Sequence, residues 1–182
     1  GGSPRWIYLS AGGDALKQPG GNDIKAREVV SKMYHNVKVM DPAARASMTT
    51  FAERGIGDVL LTWENEAMIS KKTLGDKFDI VYPSMSILTE PSVAIVDKTV
   101  EKNGNKWLAT GYINYLYSPL GQDMAARHFY RPRNPQILAK YSKQFPALKT
   151  FTIDEVFGGW AKAQQTHFVN GGMFDQIYNS KR

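Results

Sequence analysis

The stretch Gly55-Ile56-Gly57-Asp58-Val59-Leu60-Leu61-Thr62-Trp63-Glu64-Asn65-Glu66-Ala67 carries two local signals in succession. Its apolar run Val59-Leu60-Leu61 fits a buried strand over residues 58–63. The acids Glu64 and Glu66 follow at once and suit the positive end of a helix. That helix is expected over residues 64–74, closed by Gly75. A strand that hands over directly to a helix is the building unit of an α/β fold.

The alternation continues on both sides. Upstream, Ser3-Pro4 reads as a helix start, which Gly12-Gly13 weakens. Between Asn22 and Val37, the residues Ala26, Val29, Val30, Met33, Tyr34 and Val37 form one apolar helical face that Asn36 ends. A short strand is expected over residues 37–40. Asp41-Pro42 then offers a cap and a first helical residue for a helix that stops at Gly55.

Downstream, strands are expected over residues 78–82 and 87–96, the second interrupted by Pro91. Asn103-Gly104 is a turn. A helix over residues 106–117 is expected to pack through Trp107, Leu108, Tyr112, Tyr115 and Leu116. Ser118-Pro119 and Asn134-Pro135 start two more. Thr152-Ile153-Asp154-Glu155 is a capping box that opens a helix to about Phe168. Strands alternate with helices, so the class is α/β with mostly parallel pairing.

Composition narrows the function classes. The 182 residues are 42% hydrophobic and 22% charged, which suits a packed domain or two small lobes and excludes general disorder. Cysteine is absent, so disulfides and thiolate metal sites are excluded. The net charge of +6 favours anionic partners. Its lysines and arginines are scattered, with only Lys71-Lys72 and Arg131/Arg133 as small pairs, so no nucleic-acid platform is expected. No run approaches the ~20 apolar residues of a membrane span.

Catalytic chemistry finds little to work with. His35, His128 and His167 lack a second histidine at ligand spacing, so no metal or catalytic role is expected. Asp154 and Glu155 are explained by capping, and Glu64 and Glu66 by the helix dipole. No Gly-x-Ser-x-Gly elbow or Walker loop occurs. The helix starts at Gly1-Gly2-Ser3-Pro4 and Asp41-Pro42-Ala43-Ala44-Arg45 remain. A helix N-terminus exposes unpaired N–H groups and partial positive charge, which suits a tetrahedral oxyanion.

The opening stretch resembles the sulfate-binding receptors of ABC-type importers. The resemblance continues through Phe78-Asp79-Ile80-Val81-Tyr82-Pro83-Ser84, Tyr115-Leu116-Tyr117-Ser118-Pro119 and Tyr130-Arg131-Pro132-Arg133. It extends to Phe151-Thr152-Ile153-Asp154-Glu155-Val156-Phe157-Gly158-Gly159-Trp160, then Lys162-Ala163-Gln164 and Phe174-Asp175. It implies a two-lobed α/β fold of the periplasmic-binding-protein type II class, incomplete in this chain, which matches the carboxy-terminal part of such a receptor. Residues 1–86 would belong to the second lobe. Residues 87–182 would provide the hinge crossover and complete the first lobe.

The resemblance also implies a site. The family's Ser-Gly-Gly motif falls on Gly1 and Gly2, with the serine before them lacking. Its Asp-Ser-Gly-Ala-Arg motif reads Asp41-Pro42-Ala43-Ala44-Arg45 and places a backbone donor at Ala44. Its indole donor falls on Trp63. Arg5, Arg45 and Asp41 would stand behind these donors, the arginines pairing with carboxylates or carbonyls rather than with the anion. Without the family, Trp63 reads as a core residue ending a buried strand.

These roles imply a receptor for sulfate, or alternatively thiosulfate, in the periplasm. Its partner would be a membrane permease, and it would need no cofactor or metal and catalyse no reaction. An anion-processing enzyme on a related scaffold is the rival class. With the donors of the missing segment absent, the chain alone is expected to bind sulfate weakly or not at all.

Overall fold

Helices dominate the computed structural model, which describes residues 2–180. Helix α1 spans Gly2–Lys17 and passes straight through Gly12 and Gly13, where the sequence led us to expect a weakened run. Packing explains the difference. A methyl group on Gly13 would overlap the ring of Phe151, so the missing side chain lets α1 approach the strand beneath it.

Helix α2, Asp23–His35, follows the expected pattern. The Asn22 side chain accepts from the Lys25 amide at 3.0 Å and caps it. Its buried residues Ala26, Val30 and Tyr34 lie one turn apart. Helix α3, Ala44–Met48, starts later than expected, because Ala43 is extended (φ −149°, ψ 154°) and leaves Asp41 and Pro42 outside the helix. The chain then widens into a π-helical turn at Thr49–Glu53. Helix α4, Glu64–Leu74, has the expected bounds and ends at Gly75, whose φ of 70° suits glycine.

The expected strands fare differently. Strand β1 is Ser86–Ile87 and strand β2 is Thr150–Phe151, paired in parallel with Ser86 opposite Thr150 and Ile87 opposite Phe151. Residues 37–40, 58–63, 78–82 and 88–96 form no ladder among the described residues. A strand needs a neighbour to accept its backbone hydrogen bonds, and these segments do not find one. Val81, for example, is 86% exposed.

Short helices fill the rest: α5 Asp97–Asn103, α6 Lys106–Tyr117, α7 Pro119–Arg127 and α8 Pro135–Lys140. Ser118 and Asn134 cap α7 and α8, each with proline at the start, as expected. The capping box at Thr152 opens α9, Ile153–Phe157. The single long helix expected here is broken by Gly158 and Gly159, at φ 68° and 88°. Helix α10, Gly159–Ala163, then runs into a π-helical turn at Gln164–Phe168, and α11 spans Met173–Asn179.

Among the described residues two hydrophobic cores result. The larger gathers Tyr8 and Leu9 of α1, Val30 and Tyr34 of α2, Ile87, Phe151, Ile153, Phe157, Ala163 and Ile177. The smaller joins Met68 of α4, Ala126 of α7 and Phe145, with Ile80, Tyr82, Phe129, Ile137, Leu138 and Tyr141 packed around them. Each core draws residues from both sides of the 86/87 division that the resemblance implies. Among the described residues no helix is long and apolar enough to cross a membrane.

Candidate functional site

Trp63 stands where the extended segment 58–63 meets α4. It is the N-cap residue, with extended backbone (φ −69°, ψ 147°), and its carbonyl accepts from the Ala67 amide at 3.0 Å. Its side chain is half-buried and belongs to neither core. The reading of Trp63 as a packed core residue therefore loses its support.

The next residue is held firmly. The Arg131 guanidinium donates to both oxygens of Glu64, from Nε to Oε2 at 3.0 Å and from Nη2 to Oε1 at 2.6 Å. Nη2 also donates to the Pro146 carbonyl at 3.0 Å, and the guanidinium carbon lies 5.3 Å from the Phe145 ring centroid. Burial first, then the nearby Glu64 charge, pushes the Tyr82 hydroxyl up to about 12. Dipole complementation alone had accounted for Glu64 in the sequence. What it missed is that Arg131, in the Tyr130-Arg131-Pro132-Arg133 motif, is Glu64's partner.

Ala44 is the first residue of α3 and is half-buried. Its neighbour Arg45 reaches Glu66 of α4, with Nη2 at 3.8 Å from Oε1. That pair brings the starts of α3 and α4 together. Gly2 is exposed at the start of α1, whose packing is with α2, β1 and α9. Gly1 lies outside the described residues. Arg5 places its guanidinium carbon 5.4 Å from the Phe168 ring centroid, so it stacks on an aromatic at that end of α1. Asp41 is half-buried in the loop before α3. The contacts thus join the Ala44 and Trp63 regions and leave the Gly2 end tied to the larger core.

Two hydroxyls beside these residues are unusual. Ser3 Oγ, next to Gly2, and Thr62 Oγ1, next to Trp63, are buried with no hydrogen-bond partner among the described residues. A buried hydroxyl without a partner loses about 1–3 kcal/mol relative to a satisfied one. The sequence assigns Ser3 to a helix cap, whereas it lies inside α1 and its hydroxyl caps nothing; Thr62 was not picked out.

The remaining titratable groups have structural roles. Tyr8 Oη and His167 Nδ1 lie 2.9 Å apart inside the larger core. Burial first, then the neighbouring Tyr34, raises the Tyr8 hydroxyl far above its ordinary value, so it stays protonated. Burial lowers the His167 imidazole. Glu155 and Thr152 exchange the two capping-box hydrogen bonds, at 2.8 and 3.2 Å. Asp123 joins α7 to α8 by accepting from Lys140 at 2.6 Å, Arg127 at 2.7 Å and the Tyr141 hydroxyl at 3.0 Å. The Lys140 hydrogen bond is foremost in holding this carboxyl down at about 2. Among the described residues no cluster of three or more His, Cys, Asp or Glu could hold a metal ion. A hollow of about 250 Å³ beside Tyr82, floored by Met68, Ile80 and Phe129, is lined by none of the expected anion donors.

Comparison with known proteins gives this geometry a context. Residues 9–131 match a family model described as bacterial extracellular solute-binding protein. The whole chain is 57% identical to a sulfate-binding protein of Salmonella typhimurium, covering 55% of that protein. Over 98% of the chain it is 49% identical to a thiosulfate-binding protein of Pseudomonas aeruginosa, covering 54% of it. The chain therefore spans about half the length of the curated relatives it matches. Among solved structures, the sulfate-binding protein SubI from Mycobacterium tuberculosis H37Rv superposes with a TM-score of 0.70 at 23% identity, over 91% of this chain and 55% of that one. That likeness establishes the α/β solute-binding fold, of which the two-stranded parallel sheet is the paired part here.

Proposed function

We propose, for a chain that belongs to the bacterial extracellular solute-binding protein family, that it supplies one part of a sulfate receptor serving an ABC-type importer. The observation that carries this reading is the 57% identity with a sulfate-binding protein along the entire chain. The receptor holds its anion between two lobes in the periplasm and hands it to a membrane permease. It performs no covalent chemistry and needs no metal or cofactor. Thiosulfate is the second reading, favoured by the 49% identity with a thiosulfate-binding protein.

The donor chemistry supports this class of ligand. Sulfate is fully ionised at neutral pH and only accepts hydrogen bonds. Backbone amides at Gly2 and Ala44 and the indole of Trp63 only donate. Monohydrogen phosphate carries a proton that must itself be donated, and a donor-only site opposes it with another N–H. That mismatch costs about 1–3 kcal/mol and selects sulfate. Thiosulfate keeps the acceptor-only character, so the same donors accept it. Arg5 and Arg45 support the helix starts from their contacts with Phe168 and Glu66, and Asp41 shapes the approach to α3.

Isothermal titration with sulfate, thiosulfate and hydrogen phosphate tests the reading. Binding by the chain alone is expected to be weak or absent, and where it is measurable both sulfur anions should lead phosphate. Trp63→Phe removes one charge-assisted hydrogen bond of about 1.5–3 kcal/mol, a roughly 10- to 150-fold loss. Equal binding of phosphate, or a Trp63→Phe variant with unchanged affinity, would overturn it.

A further inference from the structure

We propose that the Glu64–Arg131 pair is the device that positions Trp63, which makes Arg131 a positioning residue of the anion site. The part of this concerning the anion rests on the receptor reading above. The part concerning the indole rests only on the geometry of α4.

Glu64 directly follows Trp63 and is the first residue of α4. An acid that merely complements a helix dipole works from many rotamers and is worth about 0.3–1 kcal/mol. Glu64 is not free in that way. Both its oxygens are engaged by the Arg131 fork, and both side chains are 24% exposed. A fork-to-fork pair fixes direction as well as distance. Arg131 is in turn anchored by the Pro146 carbonyl and the buried Phe145 ring. The first residue of α4 is therefore tied to the smaller core at a fixed point.

The second acid of the same turn ties the opposite side. Successive helical residues are separated by about 100°, so Glu64 and Glu66 project roughly 200° apart. Glu66 meets Arg45, the neighbour of Ala44, at 3.8 Å. The first turn of α4 is therefore held firmly on the side of the smaller core and more loosely toward α3, where the Arg45 side chain is 82% exposed. Trp63 sits at the open end of that turn, with only its own side-chain torsions left to vary. The placement of the indole's backbone then rests chiefly on the Glu64–Arg131 pair rather than on packing of the indole, which joins neither core.

The indole N–H signals in a ¹H–¹⁵N spectrum provide the test. The chain has four tryptophans, so it gives four such signals, and Trp63→Phe identifies one. Trp6 and Trp160 pack edge-to-face at 4.8 Å by the larger core and serve as internal references with Trp107. Glu64→Gln keeps shape but removes the charge. Arg131→Lys keeps the charge but removes the fork. In both variants the Trp63 signal is expected to shift or double while the other three stay in place. Sulfate affinity should fall at least about 5-fold in each.

An unmoved Trp63 signal in both variants would overturn the proposal. Movement or loss of all four signals would overturn it too, since the pair would then serve the whole fold. If the unaltered chain binds no sulfate, the indole signals alone decide the clamp.

Discussion

Gly13→Ala should destabilise this chain, although alanine is favoured over glycine within a helix by about 1 kcal/mol. The reason lies where α1 crosses β2. An added methyl at Gly13 would overlap two carbons of the Phe151 ring and stand 3.2 Å from a third. Phe151 is 1% exposed, and its strand is held by Leu88 N–H donating to the Phe151 carbonyl at 2.8 Å. The ring has little room to yield, so α1 must lift or the ring must leave its rotamer. Overpacking of this kind costs about 1–3 kcal/mol, which leaves a net loss of up to about 2 kcal/mol after the propensity gain. Gly12 is the control. A methyl there meets Val30 Cγ2 at 3.6 Å and Phe157 Cζ at 4.0 Å, which is ordinary contact. Gly12→Ala should therefore stabilise by up to about 1 kcal/mol. Urea unfolding followed by circular dichroism reads the difference as a change of midpoint at constant slope. Phe151→Leu supplies the second arm, because removing ring atoms should relieve most of the Gly13→Ala penalty. Equal midpoints for the two alanine variants, or an unchanged penalty in the Phe151→Leu background, would refute the reasoning.

Thr152→Ala should cost about 1 kcal/mol by urea unfolding, because it removes the hydroxyl that accepts from the Glu155 amide and opens the capping box. His167 should make stability depend on pH. Burial holds its imidazole below 6.5, so the unfolded chain binds that proton more readily. The contribution is present above 6.5 and is lost as pH falls through the lowered folded value, with Asp23 opposing part of the shift. The urea midpoint should fall between pH 7.5 and 5.5, and His167→Gln should flatten that fall.

Helix ends were legible because their chemistry is local. Ser118, Asn134 and Thr152 each cap the helix that the sequence assigns to them, and Gly75 ends its own, whereas Ser3 and Asp41 cap none. Strands were not legible in the same way. An apolar run such as Val59-Leu60-Leu61 states a preference for extended backbone, but a ladder requires a second segment. Only residues 86–87 and 150–151 meet one among the described residues. Helix α6 shows the same divide. Its aromatics suggest packing on one face, yet Trp107 is 75% exposed and no residue of the helix is buried. Gly12-Gly13 misled because glycine was judged by propensity, whereas the close approach of Phe151 decides its place. Gly158-Gly159 went unweighted although their left-handed conformations break a helix.

The candidate site required a different kind of reading. Pattern alone put Trp63 in a core, and only the family resemblance suggested an anion donor. The structure adds that it is half-buried at a helix start and directly precedes a clamped acid. That arrangement suits the chemistry proposed for it. A charged side chain attracts an anion from many orientations, so it tolerates imprecise placement. A neutral N–H weakens steeply once its hydrogen-bond angle drops below about 120°. A receptor built from neutral donors gains selectivity against protonated anions, and it depends on geometry in return. The strong electrostatic contact is then best placed on the scaffold that aims the donor, where Glu64 and Arg131 stand, rather than on the ligand itself.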